Sequence, residues 1–218
     1  HQTDQAIARY HVPVLLFDHG SGSRAAFAAY WLRAMGFSVQ VALLDGRLHK
    51  APAPDSITHA GETWPILEFD RLALATNADL YADWLPVEAG GAALSGARRS
   101  RWEAERDALI EQAMSFPRDF TLRDYHAENL LWLGDNRIAL LDFQDAVRGW
   151  DAWDMAMLTQ DARREVSPAA SEAAIRHYLD ETGKERDAFE ERLAVIGALN
   201  ALRIAGVFSR LQHRDGKA

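Results

Sequence analysis

Two short apolar runs, Leu130-Leu131-Trp132-Leu133 and Ile138-Ala139-Leu140-Leu141, flank Gly134-Asp135-Asn136. With so little chain between two strand-length runs, the favoured fold is an antiparallel hairpin. Gly and Asn tolerate positive φ, and Asp closes a local hydrogen bond, so the intervening residues are turn chemistry. A hairpin brings the chain back to where it started. Asp124 and Asn129, ahead of the first strand, are therefore expected beside Asp142, just after the second. Two carboxylates and an amide at one mouth are all oxygen donors, a set that suits a hard cation such as Mg²⁺. A blander alternative stays open at this level. A D-x4-N spacing is common, and an Asp after a strand is often only a turn or N-cap residue.

Composition narrows the classes. The chain has 218 residues, 48% of them hydrophobic, with seven Trp, enough for one large or two small domains around a real core. No stretch of 18 consecutive apolar residues or signal-peptide pattern is present, so no membrane association is expected. Cysteine is absent, which excludes disulfides, thiolate metal sites and a cysteine nucleophile and fits a cytoplasmic location. A net charge of −8 argues against nucleic-acid binding, and Arg98-Arg99-Ser100-Arg101 reads as a solvated helix start.

Residues 1–50 read as a β-α-β unit. Val12 to Phe17 is a buried strand, Ser23 caps a helix through Met35, and Val39 to Leu44 is a second strand parallel to the first. Gly20-Ser21-Gly22-Ser23-Arg24-Ala25 satisfies G-x-G-x-x-A with Asp45 after the next strand. However, the junction holds Asp18 and His19, an acid there would repel a pyrophosphate, and no later β-α-β repeat follows. Residues 51–59, opening with Ala51-Pro52-Ala53-Pro54, read as a linker. Beyond it the expected helices are Glu68–Leu85, stopped by Pro86; Ser95–Met114; one preceded by Gly149-Trp150 and running to about Arg164; Ser167 to about Thr182, ended by Gly183; and a long one through Phe189, Leu193, Ile196, Leu199 and Leu202. In the first, Ala73, Asn77, Leu80 and Trp84 fall near one face, with Tyr81 alongside. The tryptophans of residues 51–120 are read as core rather than sugar-stacking platforms; Glu68, Asp70 and Asp83 could touch a sugar but, with Asp161 and Glu165, are read as solvated acids.

Asp124-Tyr-His-Ala-Glu-Asn129 has the spacing of a kinase catalytic loop, and Leu141-Asp142-Phe143-Gln144 looks like the metal-binding Asp-Phe-Gly segment. The longer strings RDYHAENLLWL and LLDFQDAVRGWDAWDMAMLTQDARREVS resemble the aminoglycoside-phosphotransferase-like kinases, closest to the branch acting on cell-wall amino sugars. Asp83-Trp84 and the closing Arg214-Asp-Gly-Lys217 add to that likeness. The resemblance covers residues 60–218. It implies an α+β, protein-kinase-like, mainly helical large lobe carrying a catalytic-loop hairpin. It implies that Asp124 accepts the proton of a sugar hydroxyl and that Asn129 and Asp142 hold Mg²⁺ against ATP. Asp154, Arg123 and His126 would support the loop. Many members carry His where this chain has Leu122, and Arg-Asn where it has Asn200-Ala201.

LLFDHGSGSRAAFAAYWLRAMGF and VALLDG, within residues 10–48, resemble a rhodanese-like β-α-β fragment with Asp18 at the position of the sulfur-carrying Cys. Sulfur transfer is excluded there, because an acid cannot carry the persulfide. The three lysines, Lys50, Lys184 and Lys217, do not lie in a V-A-x-K strand, and no glycine-rich hairpin is legible. The resemblance thus implies a phosphotransferase acting on a small amino sugar, impaired without its nucleotide-clamping small lobe or completed by a partner chain. The alternative is an inactive binding module or a degenerate rhodanese-kinase fusion.

Overall fold

A computed structural model describes residues 14–18, 39–43, 55–59, 62–134, 137–141 and 145–216. In chain order its elements are β1 (Val14–Asp18), β2 (Val39–Leu43), β3 (Ser56–His59), β4 (Glu62–Pro65), α1 (Arg71–Glu88), α2 (Gly96–Met114), β5 (Asp119–Thr121), a 3-10 turn (Ala127–Asn129), β6 (Leu130–Gly134), β7 (Arg137–Leu140), β8 (Val147–Gly149), α3 (Asp151–Thr159), α4 (Pro168–Thr182) and α5 (Arg186–Asp215). They fall into two compact units: residues 1–51 with 127–144, and residues 52–126 with 145–218.

In the first unit β1 and β2 pair in parallel, from Val14↔Val39 to Asp18↔Leu43, as the two apolar runs predict. The expected helix between them, the glycine turn and Asp45 lie outside the described residues. β6 and β7 form the expected antiparallel hairpin, with Leu130↔Leu140, Leu131↔Ala139 and Trp132↔Ile138. Gly134 still pairs with Arg137 across a bulge, so the connection narrows to residues 135 and 136, outside the described residues. β1 runs close to β7, so this unit joins the start of the chain to the hairpin.

The second unit is mainly helical. Phe69, Ile110, Trp150, Trp153, Phe189, Ile196 and Leu199 are buried at its centre. Burial of each such side chain contributes about 1.5–3 kcal/mol. Phe69 sets its ring edge-on to Trp153 at 4.6 Å, and Arg118 lies 4.0 Å over Trp150 while donating to the Phe69 carbonyl at 2.9 Å. α4 follows the sequence reading closely. The Ser167 hydroxyl accepts from Ala170 N–H at 3.2 Å, Pro168 opens the helix, and Gly183 ends it at φ 67°.

Several expectations are corrected. Pro86 does not stop α1, which runs on to Glu88. A proline removes the N–H that Ala82 O would receive, and Leu94 N–H supplies it instead at 3.0 Å. The buried stripe of α1 is Leu74, Ala78 and Ala82, not Ala73, Asn77, Leu80 and Trp84. The low alanine stripe accompanies a close crossing with α5, where a Cβ on Gly206 would sit 2.2 Å from the Leu80 carbonyl carbon. α3 ends at Thr159, well before residue 164, because Asp161 turns inward and accepts from Arg163 N–H at 3.0 Å. Asp161 is therefore buried rather than a surface acid. Trp64 is exposed, not core. Two pairings had no forecast: the β3–β4 hairpin, which takes up the second half of the expected linker, and the antiparallel β5–β8 pair.

Candidate functional site

β5 and β8 set the base of the catalytic-loop candidate. Asp119 faces Gly149 and Thr121 faces Val147 across the pair. A Cβ on Gly149 would lie 2.8 Å from Thr121 Oγ1, so only glycine permits this approach. Thr121 Oγ1 donates to Trp150 O at 3.0 Å and anchors the strand end to the start of α3.

The chain then turns sharply. Arg123 has φ 72°, the left-handed region that a branched-chain-sized residue rarely enters. Asp124 N–H donates back to Leu122 O at 3.0 Å, closing a three-residue turn, and His126 N–H donates to Asp124 O at 3.1 Å. A non-glycine residue held there costs about 1–3 kcal/mol and persists only where its surroundings over-determine it. The constraints are visible. Asp154, in the first turn of α3, accepts Leu122 N–H on Oδ2 at 2.7 Å and Arg123 N–H on Oδ1 at 2.9 Å. Trp153 Nε1 donates to Arg123 O at 3.1 Å, and the Arg123 guanidinium lies 5.3 Å over Phe69. Leu122, where the kinases often have His, is buried and contributes its backbone N–H.

Burial pushes the Asp154 carboxyl up to about 7, against the pull of the two amides, with the charges of Asp151 and Asp119 adding to the rise. Asp124 projects from this turn with 28% of its side chain exposed, and Arg203 Nη2 on α5 reaches its Oδ1 at 3.3 Å. His126 is buried.

Asn129 closes the 3-10 turn in the other unit, and its carbonyl accepts Leu141 N–H at 2.8 Å at the open end of the hairpin. Asp142 follows Leu141 in the chain and lies outside the described residues. Among the described residues no three His, Asp or Glu side chains converge as a metal site. Asp18 ends β1, paired with Leu43. Thus Arg123, Asp124, His126 and Asp154 share one unit, whereas Asn129 and Asp18 belong to the other.

One cluster escaped sequence reasoning. Lys184, between α4 and α5, places Nζ 2.8 Å from Asp119 Oδ2, 2.5 Å from Asp151 Oδ2 and 3.0 Å from Tyr178 Oη. Burial alone would lower the Lys184 pKa, but these partners raise it well above its ordinary value. Burial likewise raises Asp151, yet the hydrogen bond and charge of Lys184, with Arg192 and Tyr178, hold it below the usual carboxylate range. The acids read as solvated have partners too. Asp70 Oδ1 caps α1 by accepting Ala73 N–H at 2.8 Å, and Asp83 pairs with Arg99 at 2.6 Å. Arg99 is thereby taken out of the solvated helix start.

A mainly helical unit with an acid-braced loop is consistent with the kinase-like architecture. The phosphotransferase enzyme family matches residues 15–215, and the chain belongs to it. That match begins well before residue 60, so it takes in β1 from Leu15 onward and all of β2. The N-acetylmuramate/N-acetylglucosamine kinase of Caulobacter vibrioides is 42% identical over 183 residues, covering 81% of this chain and 50% of the relative. Enzymes of the same name from Pseudomonas aeruginosa and Neisseria meningitidis are 31% and 28% identical, over 68% and 69% of the chain and 46% and 47% of their own length. The chain spans about half the length of the curated relatives it matches.

Proposed function

We propose that the chain carries the catalytic loop of an ATP-dependent phosphotransferase whose acceptor is a hydroxyl of an N-acetylated amino sugar, acting in the cytoplasm. The observation that carries this reading is the Asp154 clamp. Two amides of the Leu122–Arg123 turn bind one buried carboxylate, and the next side chain, Asp124, is presented with partial exposure. Asp124 would take the proton of the attacking hydroxyl. Asn129 and Asp142 offer the amide and carboxylate oxygens that suit Mg²⁺. The ion, when bound with ATP, neutralises charge on the transferring phosphoryl group. Phosphoryl transfer depends on positioning and charge stabilisation, so a rigid loop is what this chain contributes.

Turnover by these residues alone is proposed to be slow, since no glycine-rich hairpin or V-A-x-K lysine is legible in them. One observation favours that. Lys184 is committed to Asp119 and Asp151, which removes it as a phosphate-binding cation. An inactive binding module is the second reading, and the same lysine favours it. The test is transfer of labelled γ-phosphate from Mg-ATP to N-acetylmuramate or N-acetylglucosamine. Turnover should fall by about 10²–10⁴ in D124N, the range for losing a positioned base. Transfer unchanged in D124N would refute the assignment, and binding of sugar without transfer would support the module.

A further inference from the structure

We propose that Arg203 is a positioning residue that fixes the carboxylate of Asp124, a role that rests on the phosphotransferase reading above. Arg203 lies on α5, 79 residues along the chain from Asp124, and its Nη2 reaches Oδ1 of that carboxylate at 3.3 Å. Both side chains are largely shielded, with 19% of Arg203 and 28% of Asp124 exposed. Arg203 is itself steadied, its guanidinium centred 6.0 Å from the Trp153 ring. The same indole donates to Arg123 O at 3.1 Å. One tryptophan therefore supports both the cation and the strained turn that presents the acid.

A guanidinium fits this task better than an ammonium. It stays protonated, so it does not compete for the substrate proton, and its planar donors fix an orientation that a point charge leaves loose. Asp154 sets the backbone of the turn, whereas Arg203 sets the side-chain angle of Asp124. The two devices come from different helices and act on different bonds. Arg203 acts through Asp124 and touches no substrate in this scheme.

The experiment compares wild type, R203A, R203K, D124N and D124N/R203A in the same phosphate-transfer assay, with urea unfolding of each. Misplacing a reacting group by about 1 Å costs up to roughly a hundredfold, so R203A should lose about ten- to a hundredfold in kcat. KM for Mg-ATP and sugar should move less than about threefold, as expected for an interaction realised in the transition state. R203K should recover part of the loss. The double variant should be no slower than D124N, because nothing is then left to position. A loss seen mainly in KM, or one that adds fully to D124N, overturns the proposal. If wild type transfers no phosphate, the function above fails, and the urea midpoints decide this inference by themselves. Non-additive shifts for R203A and D124N keep the clamp, and additive shifts overturn it.

Discussion

Replacing Asp154 by Asn should destabilise the protein more at pH 5 than at pH 8. Asp154 is fully buried and its carboxyl is pushed up to about 7 from an ordinary 3.8. A raised acid binds more protons folded than unfolded between those two values, so this group makes stability fall as pH rises through that window. The slope is about 1.4 kcal/mol per pH unit at its steepest. Asn cannot titrate. Its one oxygen can keep one of the two amide donors, and its NH₂ group faces the other. Leaving a buried amide unsatisfied costs about 1–3 kcal/mol, which is the deficit expected at pH 5. From pH 5 to pH 8 wild type alone loses roughly 3 kcal/mol through this site, so the deficit should shrink to near zero. Urea unfolding of both proteins at pH 5, 6, 7 and 8 reads this directly. A deficit that widens toward pH 8 would show that the two amides hold Asp154 as a stabilised anion and would refute the reasoning.

Other consequences can be checked together. G206A should destabilise by roughly 3 kcal/mol, since its Cβ would lie 2.2 Å from Leu80 C and 2.4 Å from Tyr81 N; a change in the urea midpoint measures it. K184M should cost roughly 3 kcal/mol near neutral pH, because it removes the nearest cation from the buried Asp151 carboxylate, leaving Arg192 at 3.5 Å and Tyr178. Asp151 titrates below its ordinary value, so its stabilisation is present above 3.8 and is lost on acidification. K184M should accordingly flatten the acid limb of the stability curve. R123G should fold at least as stably as wild type, since glycine relieves the φ of 72°, while phosphate transfer falls as the turn loosens.

The hairpin and α4 were legible because their signals are local: turn residues between two apolar runs, and Ser-Pro at one end with Gly at the other. The α1 endpoint was not, because the carbonyl orphaned by Pro86 finds its donor at Leu94, beyond the helix. The β5–β8 pair joins three-residue strands far apart in sequence, with nothing local to mark them. The roles of Asp124 and Asp154 were singled out only through the resemblance to the kinases. The left-handed turn at Arg123 was not legible, since arginine gives no hint of positive φ. Lys184 read as a loop lysine because its partners at 119, 151 and 178 meet only after the helices pack.

The central proposal is that Asn129 and Asp142 hold the metal ion of a phosphoryl-transfer reaction. Soaking crystals with Mn²⁺ and a non-hydrolysable ATP analogue, and locating the ion by its anomalous signal, tests it most directly. The account predicts the ion bound by oxygens of Asn129 and Asp142. An ion bound elsewhere would contradict it.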